Sequence, residues 1–388
     1  MSRPDVVIIG GGAIGCAAAY FLRTLDPGIA VTVVERDPRY TLASTPRASG
    51  GVRRQFSLPE NIELSQFSIP FFEAFPESMV VGTDPVDIGF KRNGYLLIVP
   101  PDGVSTLRRN YETQARLGVR VEWLEPPDLR DRWPSMLVDD LGAGVFSPDD
   151  GWLDPHSMLM ALRARTAHLG ATFVTDEVTG LERRGGIVTA VELASGLRLT
   201  PDHVVLAAGA WAKDVCAMLG ETVPVEPMKR YEHYFEPQDP IEPLPYIKDV
   251  KRLAFRPEGN GYSGGVPSWD QPRGYDFAVD PTYFERAVWP ALAERFPQFD
   301  RTACHATLSG LYDQNDFDAS PIIGPGLGGL SNFHLLAGFS GHGLMHAPGA
   351  GRAIAELVID GRYGSIDLTR FGPQRLVEDR PIRETGIV

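Results

Sequence analysis

The first forty residues divide into three segments by the spacing of their apolar positions. Residues 6–9 form a continuous apolar run, which is typical of a strand buried on both faces of a parallel sheet. Residues 16–25 are small and apolar and indicate a helix. A second buried run follows and ends at Glu35. The pattern predicts a strand, a helix and a second strand at the start of the chain.

Helices and strands alternate less regularly farther along the chain. Apolar residues at spacings of three and four predict helices over residues 59–74, 104–117, 281–296 and 352–359, and another that begins near Asp154 or His156 and ends at Gly170. Residues 178–208 predict three strands, the last of them buried. Residues 220–317 are strand-like and punctuated by Gly and Pro, which indicates an antiparallel sheet.

The composition narrows the class of protein. The chain has 388 residues, enough for two domains, with 43% apolar and 22% charged residues, as in ordinary soluble proteins. A formal net charge of −13 argues against a nucleic-acid partner, because phosphate binding requires an excess of Lys and Arg on one face. The three cysteines are far apart, which predicts reduced thiols and a cytoplasmic location. No apolar run approaches the roughly 18 residues of a membrane helix, so no membrane span is expected.

A glycine motif joins the first strand to the first helix. Gly10, Gly12 and Gly15 follow the strand directly, and Glu35 comes 25 positions after Gly10. Gly10 permits a tight turn, Gly12 lets a pyrophosphate approach the backbone, and Gly15 allows the helix to pack closely on the strand. Glu35 would accept hydrogen bonds from ribose hydroxyls. This is the dinucleotide-binding pattern in its required context, and Glu35 disfavours a 2′-phosphate, an inference that the neighbouring Arg36 weakens only slightly.

Two later stretches distinguish this chain from an ordinary NAD-binding domain. Ser44 and Thr45 offer hydroxyls beyond the second strand, and Gly50 and Gly51 expose the backbone before an amphipathic helix. An NAD domain would more usually continue into its next strand–helix unit. Near the end of the chain, the sequence GFSGHGLMHAPGAGRA (residues 338–353) follows another apolar run and leads into a helix.

These motifs, together with VVLAAGAW (204–211) and PIIGP (321–325), occur in an order and spacing that resemble a known family. The chain is similar to the FAD-dependent amine and amino-acid oxidoreductases of the D-amino-acid oxidase superfamily, whose branches include glycine oxidase, monomeric sarcosine oxidase and dimethylglycine dehydrogenase. The resemblance covers about the whole chain. The combination of motifs is specific to the superfamily but not to a substrate.

The resemblance implies an α/β fold with a Rossmann-like FAD-binding domain and a substrate domain that contains a largely antiparallel sheet. The FAD-binding domain would comprise residues 1–83, 147–219 and 318–388. The substrate domain would comprise residues 84–146 and 220–317.

The resemblance also implies the FAD contacts. The pyrophosphate would meet the first glycine loop and the ribose Glu35, with Val178 at the adenine and the C-terminal glycine loop at the isoalloxazine ring. The expected cofactor-binding residues are Gly10, Gly12, Ala13, Ile14, Gly15, Glu35, Arg36, Ser44, Thr45, Ala48, Ser49, Gly50, Gly51, Val178, Ala208, Gly209, Trp211, Gly338, Gly341, His342, Gly343, Leu344 and Met345.

The implied chemistry is removal of hydride from a carbon next to nitrogen. Flavin N5 accepts the hydride, and the resulting imine is hydrolysed by water. The expected partners are a small amine or amino-acid substrate and O2 or another electron acceptor. The cofactor performs the difficult step while protein groups orient the substrate, so no acid–base pair is required.

Departures from the family pattern bear on the substrate. Tyr312 stands where glycine and D-amino-acid oxidases have a carboxylate-binding arginine, as in the sarcosine oxidase branch, and Tyr231 lines the pocket by family position. That branch uses an arginine near the first flavin loop, which Arg53 matches, and a lysine that Met345 replaces here. Arg53 or Arg54 would therefore hold a substrate carboxylate. An N-substituted glycine or related N-alkyl amino acid is the expected substrate.

The mode of FAD attachment and the fate of the electrons follow from other positions. Gly310 stands at the flavin-attaching cysteine of sarcosine oxidase and Arg47 at the attaching histidine of dimethylglycine dehydrogenase, so non-covalent FAD is expected. The lysine that promotes reaction with oxygen in sarcosine oxidase has no clear counterpart here, because the residue near its position is Arg273 or Tyr275 and not a lysine. Oxidase and dehydrogenase both stay open, as does a non-catalytic FAD-binding assembly factor. His342 and His346 lack a glutamate and a third ligand, so no metal is expected.

Overall fold

The computed structural model describes residues 4–83, 85–250, 253–268 and 271–386. The predicted domain segments also include residues 1–3, 84, 251–252, 269–270 and 387–388, which lie outside the described residues. In the described part, the strands are β1 (Asp5–Ile9), β2 (Ala30–Glu35), β3 (Gly51–Val52), β4 (Tyr95–Val99), β5 (Glu122–Leu124), β6 (Ala143–Ser147), β7 (Gly151–Trp152), β8 (Thr172–Thr175), β9 (Val178–Arg184), β10 (Ile187–Leu193), β11 (Arg198–Leu199), β12 (His203–Leu206), β13 (Val225–Pro237), β14 (Tyr246–Asp249), β15 (Ala254–Glu258), β16 (Gly261–Gly265), β17 (Thr302–Asn315), β18 (Ile322–Pro325) and β19 (Phe333–Ala337).

The α-helices of the same part are α1 (Ala13–Leu25), α2 (Pro59–Glu73), α3 (Phe75–Ser78), α4 (Val104–Arg116), α5 (Pro126–Arg132), α6 (Pro155–His168), α7 (Ala212–Ala217), α8 (Trp289–Arg295), α9 (Gly343–Asp360) and α10 (Gln374–Val377). Asp154 caps α6, where its side chain accepts a hydrogen bond from the backbone N–H of Ser157. The helix predicted over residues 281–296 is instead a π-helical turn (Phe284–Val288) followed by α8, which has a proline in its first turn.

The first large sheet has six strands in the order β18-β19-β12-β1-β2-β8. All neighbouring pairs are parallel except β18 and β19. Helices α1 and α9 cover one face of this sheet, and the β9–β11 sheet and α7 cover the other. Both faces of the central strands are therefore buried, as their continuous apolar sequence indicates. The predicted opening strand, helix and strand are its β1, α1 and β2.

The second large sheet has eight strands in the order β17-β13-β16-β15-β14-β4-β6-β5, and it is antiparallel except between β14 and β4. One face packs on an aromatic core that includes Phe235, Phe255 and Phe299. The opposite face meets the loop after β2, where the backbone oxygen of Ser49 accepts a hydrogen bond from Arg256. The expected α/β fold class, with a Rossmann-like domain and a largely antiparallel sheet, is confirmed.

Helix α9 begins nine residues before the predicted start at residue 352. Two of its glycines, Gly349 and Gly351, serve helix packing rather than a loop. A Cβ on Gly351 would lie 2.6 Å from the backbone carbon of Ala17 in α1, and one on Gly349 would lie 2.9 Å from the side chain of Leu64 in α2. Only a residue without a side chain allows the three helices to approach this closely.

Candidate active site

A cavity of about 740 Å³ opens at the carboxyl ends of β1 and β2. This edge is where open parallel sheets bind ligands, and the volume is in the range of small-molecule and cofactor sites. The cavity runs from the first glycine loop to the substrate-domain strand β17. The following expected cofactor residues line it: Gly10, Gly12, Ala13, Ile14, Glu35, Arg36, Ser44, Thr45, Ala48, Val178, Ala208, Gly209, Trp211, Gly341, Gly343 and Leu344.

The first glycine loop has the shape that a pyrophosphate requires. Gly10 has a φ of +101°, and a Cβ on Gly15 would lie 1.9 Å from the backbone oxygen of Gly10. Gly12 is not crowded by the protein, because a Cβ there would meet Oγ1 of Thr45 at an ordinary contact distance of 3.6 Å. Helix α1 begins at Ala13 without an acidic residue in its first turn. Because Ala13, the first residue of α1, lines the cavity, the positive end of the helix dipole faces the cavity, as phosphate binding requires.

Glu35 is held in place by backbone groups on both sides of its carboxylate. Oε2 accepts a hydrogen bond from the N–H of Gly11 at 2.8 Å, and Oε1 accepts one from the N–H of Asp37 at 2.9 Å. Each oxygen keeps acceptor capacity that faces the cavity. The carboxylate is thus positioned to accept hydrogen bonds from two ribose hydroxyls.

The outer part of the cavity is walled by a stack of flat side chains. The guanidinium carbon of Arg36 lies 4.0 Å from the ring centre of Trp211, and Trp211 stacks on Tyr275 with the ring centres 5.4 Å apart. The Tyr275 hydroxyl donates a 2.5 Å hydrogen bond to Asp214. By family position, either Arg273 or Tyr275 falls near the lysine that promotes reaction with oxygen, and the sequence around Tyr275 carries no signal of this stacking role.

The remaining expected cofactor residues do not line this cavity, and each has another contact. Gly50 has a φ of +80° and packs against the backbone oxygen of Leu153, while a Cβ on Gly51 would meet the Tyr246 ring. Gly15 packs on Gly10 as described, and Gly338 packs on Asn315. Ser49 bonds the Tyr246 hydroxyl, and Met345 is buried in the core around α9. The expected cofactor residues that lie outside the lining of this cavity are Gly15, Ser49, Gly50, Gly51, Gly338, His342 and Met345.

The C-terminal glycine loop is fixed by a partly buried carboxylate on β17. Asp313 accepts a 3.0 Å hydrogen bond from the N–H of Phe339, and its backbone oxygen accepts one from Ser340. Burial raises the pKa of Asp313 to about 6. Ser340 has a φ of +52° and its hydroxyl accepts a hydrogen bond from the N–H of Asn315. These contacts hold Gly341 and Gly343 at the cavity.

A second cavity of about 330 Å³ adjoins the first, because Arg230 and Tyr312 line both. It lies between the eight-stranded sheet and the C-terminal glycine loop. Its other lining residues are Lys248, Pro267, Gln314, Asn315, Asp316, Phe317, Asp318, Ala319, Ser340, His342, Arg383 and Glu384. The position between a nucleotide cavity and the substrate-domain sheet is where a substrate would meet a flavin ring.

Arg53 lies beside this junction without a carboxylate partner in the described part of the chain. Its side chain is buried, with 3% exposure, and its guanidinium carbon lies 4.5 Å from the ring centre of Phe56 and 5.6 Å from that of Tyr95. Nη2 lies 3.3 Å from Nε2 of His342. Burial, and next Arg53, hold the pKa of His342 well below its usual value, so the imidazole is neutral and accepts this hydrogen bond.

Arg54 is occupied by a structural ion pair. Its Nη1 donates to Oδ1 of the buried Asp150 at 3.0 Å, and its backbone N–H donates to Oδ2 at 2.7 Å. Nη1 also donates to the backbone oxygen of Asp149. The structure therefore separates the two candidate arginines: Arg54 pairs with a carboxylate, and Arg53 has none among the described residues.

Tyr231 does not reach the second cavity, contrary to expectation. Its ring packs against Tyr283 and its hydroxyl donates to the backbone oxygen of Ala278, on the aromatic-core face of the sheet. Side chains alternate along a strand, so the neighbouring Arg230 points to the opposite face and lines both cavities. The residue of β13 that faces the cavity is therefore Arg230, one position before the expected Tyr231. Tyr312, in contrast, lies in the lining of both cavities, and the Arg230 guanidinium carbon is 5.0 Å from its ring centre.

Two ionisable residues on the same sheet face were missed. Lys248 on β14 lines the second cavity, and burial, reinforced by Arg53 and Arg230, lowers its pKa to about 7. Glu232 on β13 accepts a 2.6 Å hydrogen bond from the hydroxyl of Ser263, and burial raises its pKa to about 7. In the sequence, both residues alternate with core residues along their strands, which indicates that they lie on the opposite face from the core. This alternation does not reveal which face of the sheet meets the cofactor.

The described residues contain no group of three or more His, Cys, Asp or Glu side chains that could hold a metal ion. Over the same ranges, no helix combines the length and the apolar character of a membrane-crossing segment.

A dinucleotide cradle whose cavity adjoins a second cavity beneath the C-terminal glycine loop fits a dinucleotide-dependent oxidoreductase. Residues 5–357 match the family model DAO, FAD dependent oxidoreductase, and the chain belongs to this family. Its cofactor is FAD, as expected.

Individual relatives span nearly all of the chain. FAD-dependent oxidoreductase domain-containing protein 1 of Bos taurus is 36% identical over 411 residues, which cover 95% of this chain and 84% of that protein. Mitochondrial sarcosine dehydrogenase of Mus musculus is 28% identical over 99% of this chain but only 43% of its own length. The crystal structure of L-proline dehydrogenase from P. horikoshii superimposes with a TM-score of 0.87 at 25% identity, covering 98% of this chain and 100% of that one.

Proposed function

We propose that this protein oxidises the C–N bond of a secondary amine that carries a carboxylate, such as an N-substituted glycine or a related N-alkyl amino acid. When bound, FAD supplies the hydride acceptor for this chemistry, and water hydrolyses the imine product. The proposal extends the family's oxidoreductase activity to a substrate class.

The observation that carries the proposal is the state of Arg53. A buried guanidinium is costly unless an anion or hydrogen-bond acceptors satisfy it. Among the described residues, Arg53 contacts the Gln55 backbone oxygen, at 3.3 Å, the His342 ring nitrogen, the Tyr95 hydroxyl and two aromatic rings, but no carboxylate. A substrate carboxylate would supply the missing anion through paired N–H···O bonds.

The surrounding groups favour the reactive form of an amine. A secondary amine reacts only when its nitrogen is unprotonated and keeps its lone pair. Positive charge on Arg53 disfavours an ammonium ion beside it, and the neutral His342 adds no negative charge to offset this. Tyr312 provides a flat wall where the two cavities join. The chain's own contribution is therefore binding, orientation and control of the substrate's protonation.

Anaerobic mixing with a panel of amines tests the proposal. N-substituted amino acids should bleach the oxidised flavin band, and uncharged amines of the same size should do so far less efficiently. Bleaching by some other donor, but by no N-substituted amino acid, would overturn the proposal.

The electron acceptor is decided separately. For a substrate that reduces the flavin, oxygen consumption indicates an oxidase, whereas turnover only with an artificial dye indicates a dehydrogenase with a protein or quinone acceptor. Bound FAD that no donor reduces would favour a non-catalytic FAD-binding assembly factor.

A further inference from the structure

The second cavity contains a lysine that the single-carboxylate substrate does not use. Lys248 projects from β14, between Leu97 of β4 and Ala254 of β15 in the sheet register, into the space shared with Arg230, Tyr312 and His342. Within the described residues, its amine has neither a hydrogen-bond partner nor an ion pair. Such an arrangement is costly for a partly buried ammonium group.

The acidic residues around this cavity are already used by other groups. Asp316 pairs with Arg273, and Asp318 pairs with the buried Arg375. Glu384 accepts hydrogen bonds from the backbone and hydroxyl of Ser57. None of these carboxylates neutralises Lys248.

A partly buried acid on the same sheet face, Glu232, is also accounted for. Glu232 accepts the hydroxyl hydrogen of Ser263 and lies close to the positive charge of Arg256. Arg230 donates to the backbone oxygens of Lys229 and Ser268. Arg383, at the exposed edge of the lining, donates to the backbone oxygen of Phe317. Inside the cavity, Lys248 has no carboxylate partner among the described residues, and neither has Arg53, which contacts His342 of the lining.

We propose that the preferred substrate is a secondary amine with two carboxylates, in which Arg53 binds one carboxylate and Lys248 the other. This inference rests on the proposed function. An amine with one carboxylate would satisfy Arg53 and leave the lysine desolvated, whereas an iminodiacid or N-carboxymethyl amino acid would satisfy both cations. Two negative charges also complement Lys248 and Arg53, neither of which has a carboxylate partner among the described residues.

Binding of inert substrate mimics tests this inference without turnover. Thiodiacetate and (methylthio)acetate replace the amine by a sulfur and differ by one carboxylate. Isothermal titration of the FAD-loaded protein should show that thiodiacetate binds roughly 10- to 100-fold more tightly. Lys248→Met should abolish the difference by weakening thiodiacetate alone, and Lys248→Arg should restore part of it.

The control is Lys91→Met, which makes the same substitution at an exposed position outside both cavities. It should bind both mimics as the parent protein does. Equal affinity of the parent protein for the two mimics, equal weakening of both by Lys248→Met, or binding of neither would overturn the inference. Should Lys248→Met fail to fold, the comparison of the two mimics on the parent protein decides.

Flavin reduction separates this inference from the function on which it rests. If amines with one carboxylate bleach the flavin as efficiently as matched diacids, the diacid preference is wrong and the proposed function stands. If no amine with a carboxylate bleaches it while another donor does, the proposed function itself is wrong.

Discussion

Replacement of Arg53 by methionine should remove carboxylate recognition and leave the rest of the site in place. Methionine is long and apolar, so it can keep the contacts with the Phe56 and Tyr95 rings that now flank the guanidinium. The nucleotide cavity lies outside the reach of this change, because Arg53 is not part of its lining. FAD content should therefore be unchanged.

The size of the effect follows from the number of hydrogen bonds lost. A carboxylate held by two guanidinium N–H groups gains about 1.5–3 kcal/mol from each charged bond. Loss of the pair should cost at least about 3 kcal/mol, which is roughly 150-fold in kcat/KM. Most of the change should appear in KM, since the carboxylate is bound equally before and during the reaction. Arg53→Lys keeps the charge but loses the planar guanidinium, so its kcat/KM should fall between those of the parent protein and Arg53→Met.

The assay compares an acidic amine with an uncharged amine of the same size, each measured by the rate of anaerobic flavin reduction over a range of concentrations. Only the acidic amine should lose efficiency. Arg54→Met is the matched control. It leaves the buried Asp150 without its ion pair, so it should lower the free energy of unfolding by about 3–5 kcal/mol without discriminating between the two amines. Equal losses for both amines in Arg53→Met would refute the assigned role.

Three further predictions concern the cofactor and the stability of the fold. Acid precipitation should leave FAD in the supernatant, since Gly310 and Arg47 offer no nucleophile at the expected attachment positions; a yellow pellet would contradict this. Gly351→Ala should lower the free energy of unfolding by about 1–3 kcal/mol, because the new Cβ would meet the α1 backbone at 2.6 Å; an unchanged denaturant midpoint would show that α1 and α9 can separate. Burial, and next Arg53, lower the pKa of His346 to about 3, so protonation of this imidazole in the unfolded chain should destabilise the fold as the pH falls below about 6.5. His346→Leu should remove about 2 kcal/mol of the stability lost between pH 7 and pH 5, as measured by urea unfolding, and an unaltered pH profile would exclude that role.

The nucleotide-binding half of the fold could be predicted because its signals are local. A glycine at each fixed offset, a buried strand on either side and an acid at the second strand's end are all set by neighbours along the chain. The structure places Gly10, Gly12 and Glu35 around one cavity.

The C-terminal glycine stretch was harder to interpret because glycine has two uses. Gly341 has a φ of +95° and belongs to a true turn at the cavity. Gly349 and Gly351 lie inside α9, where contact with α1 and α2 requires the absence of a side chain. Composition alone does not distinguish a turn from a close helix crossing, since the second depends on residues more than 280 positions away.

The substrate side depended on which face of a long strand meets the cofactor. Met228, Arg230 and Glu232 alternate with Lys229, Tyr231 and His233, and both sets contain polar and apolar residues. Family position predicts Tyr231 in the substrate pocket. In the structure Tyr231 packs against the aromatic core, and Arg230, on the opposite face of the strand, lines the cavity. Lys248 was missed for the same reason: its face is decided by the packing of the whole sheet on the nucleotide-binding domain.

The most direct test of the proposed function is rapid anaerobic mixing of the FAD-loaded protein with one acidic secondary amine and with its uncharged counterpart, followed at the oxidised flavin band. Complete, saturable bleaching by the acidic amine, with release of the corresponding imine hydrolysis products, is the predicted result. An oxidised flavin that no carboxylate-bearing amine reduces, in a protein that another donor reduces readily, would contradict it.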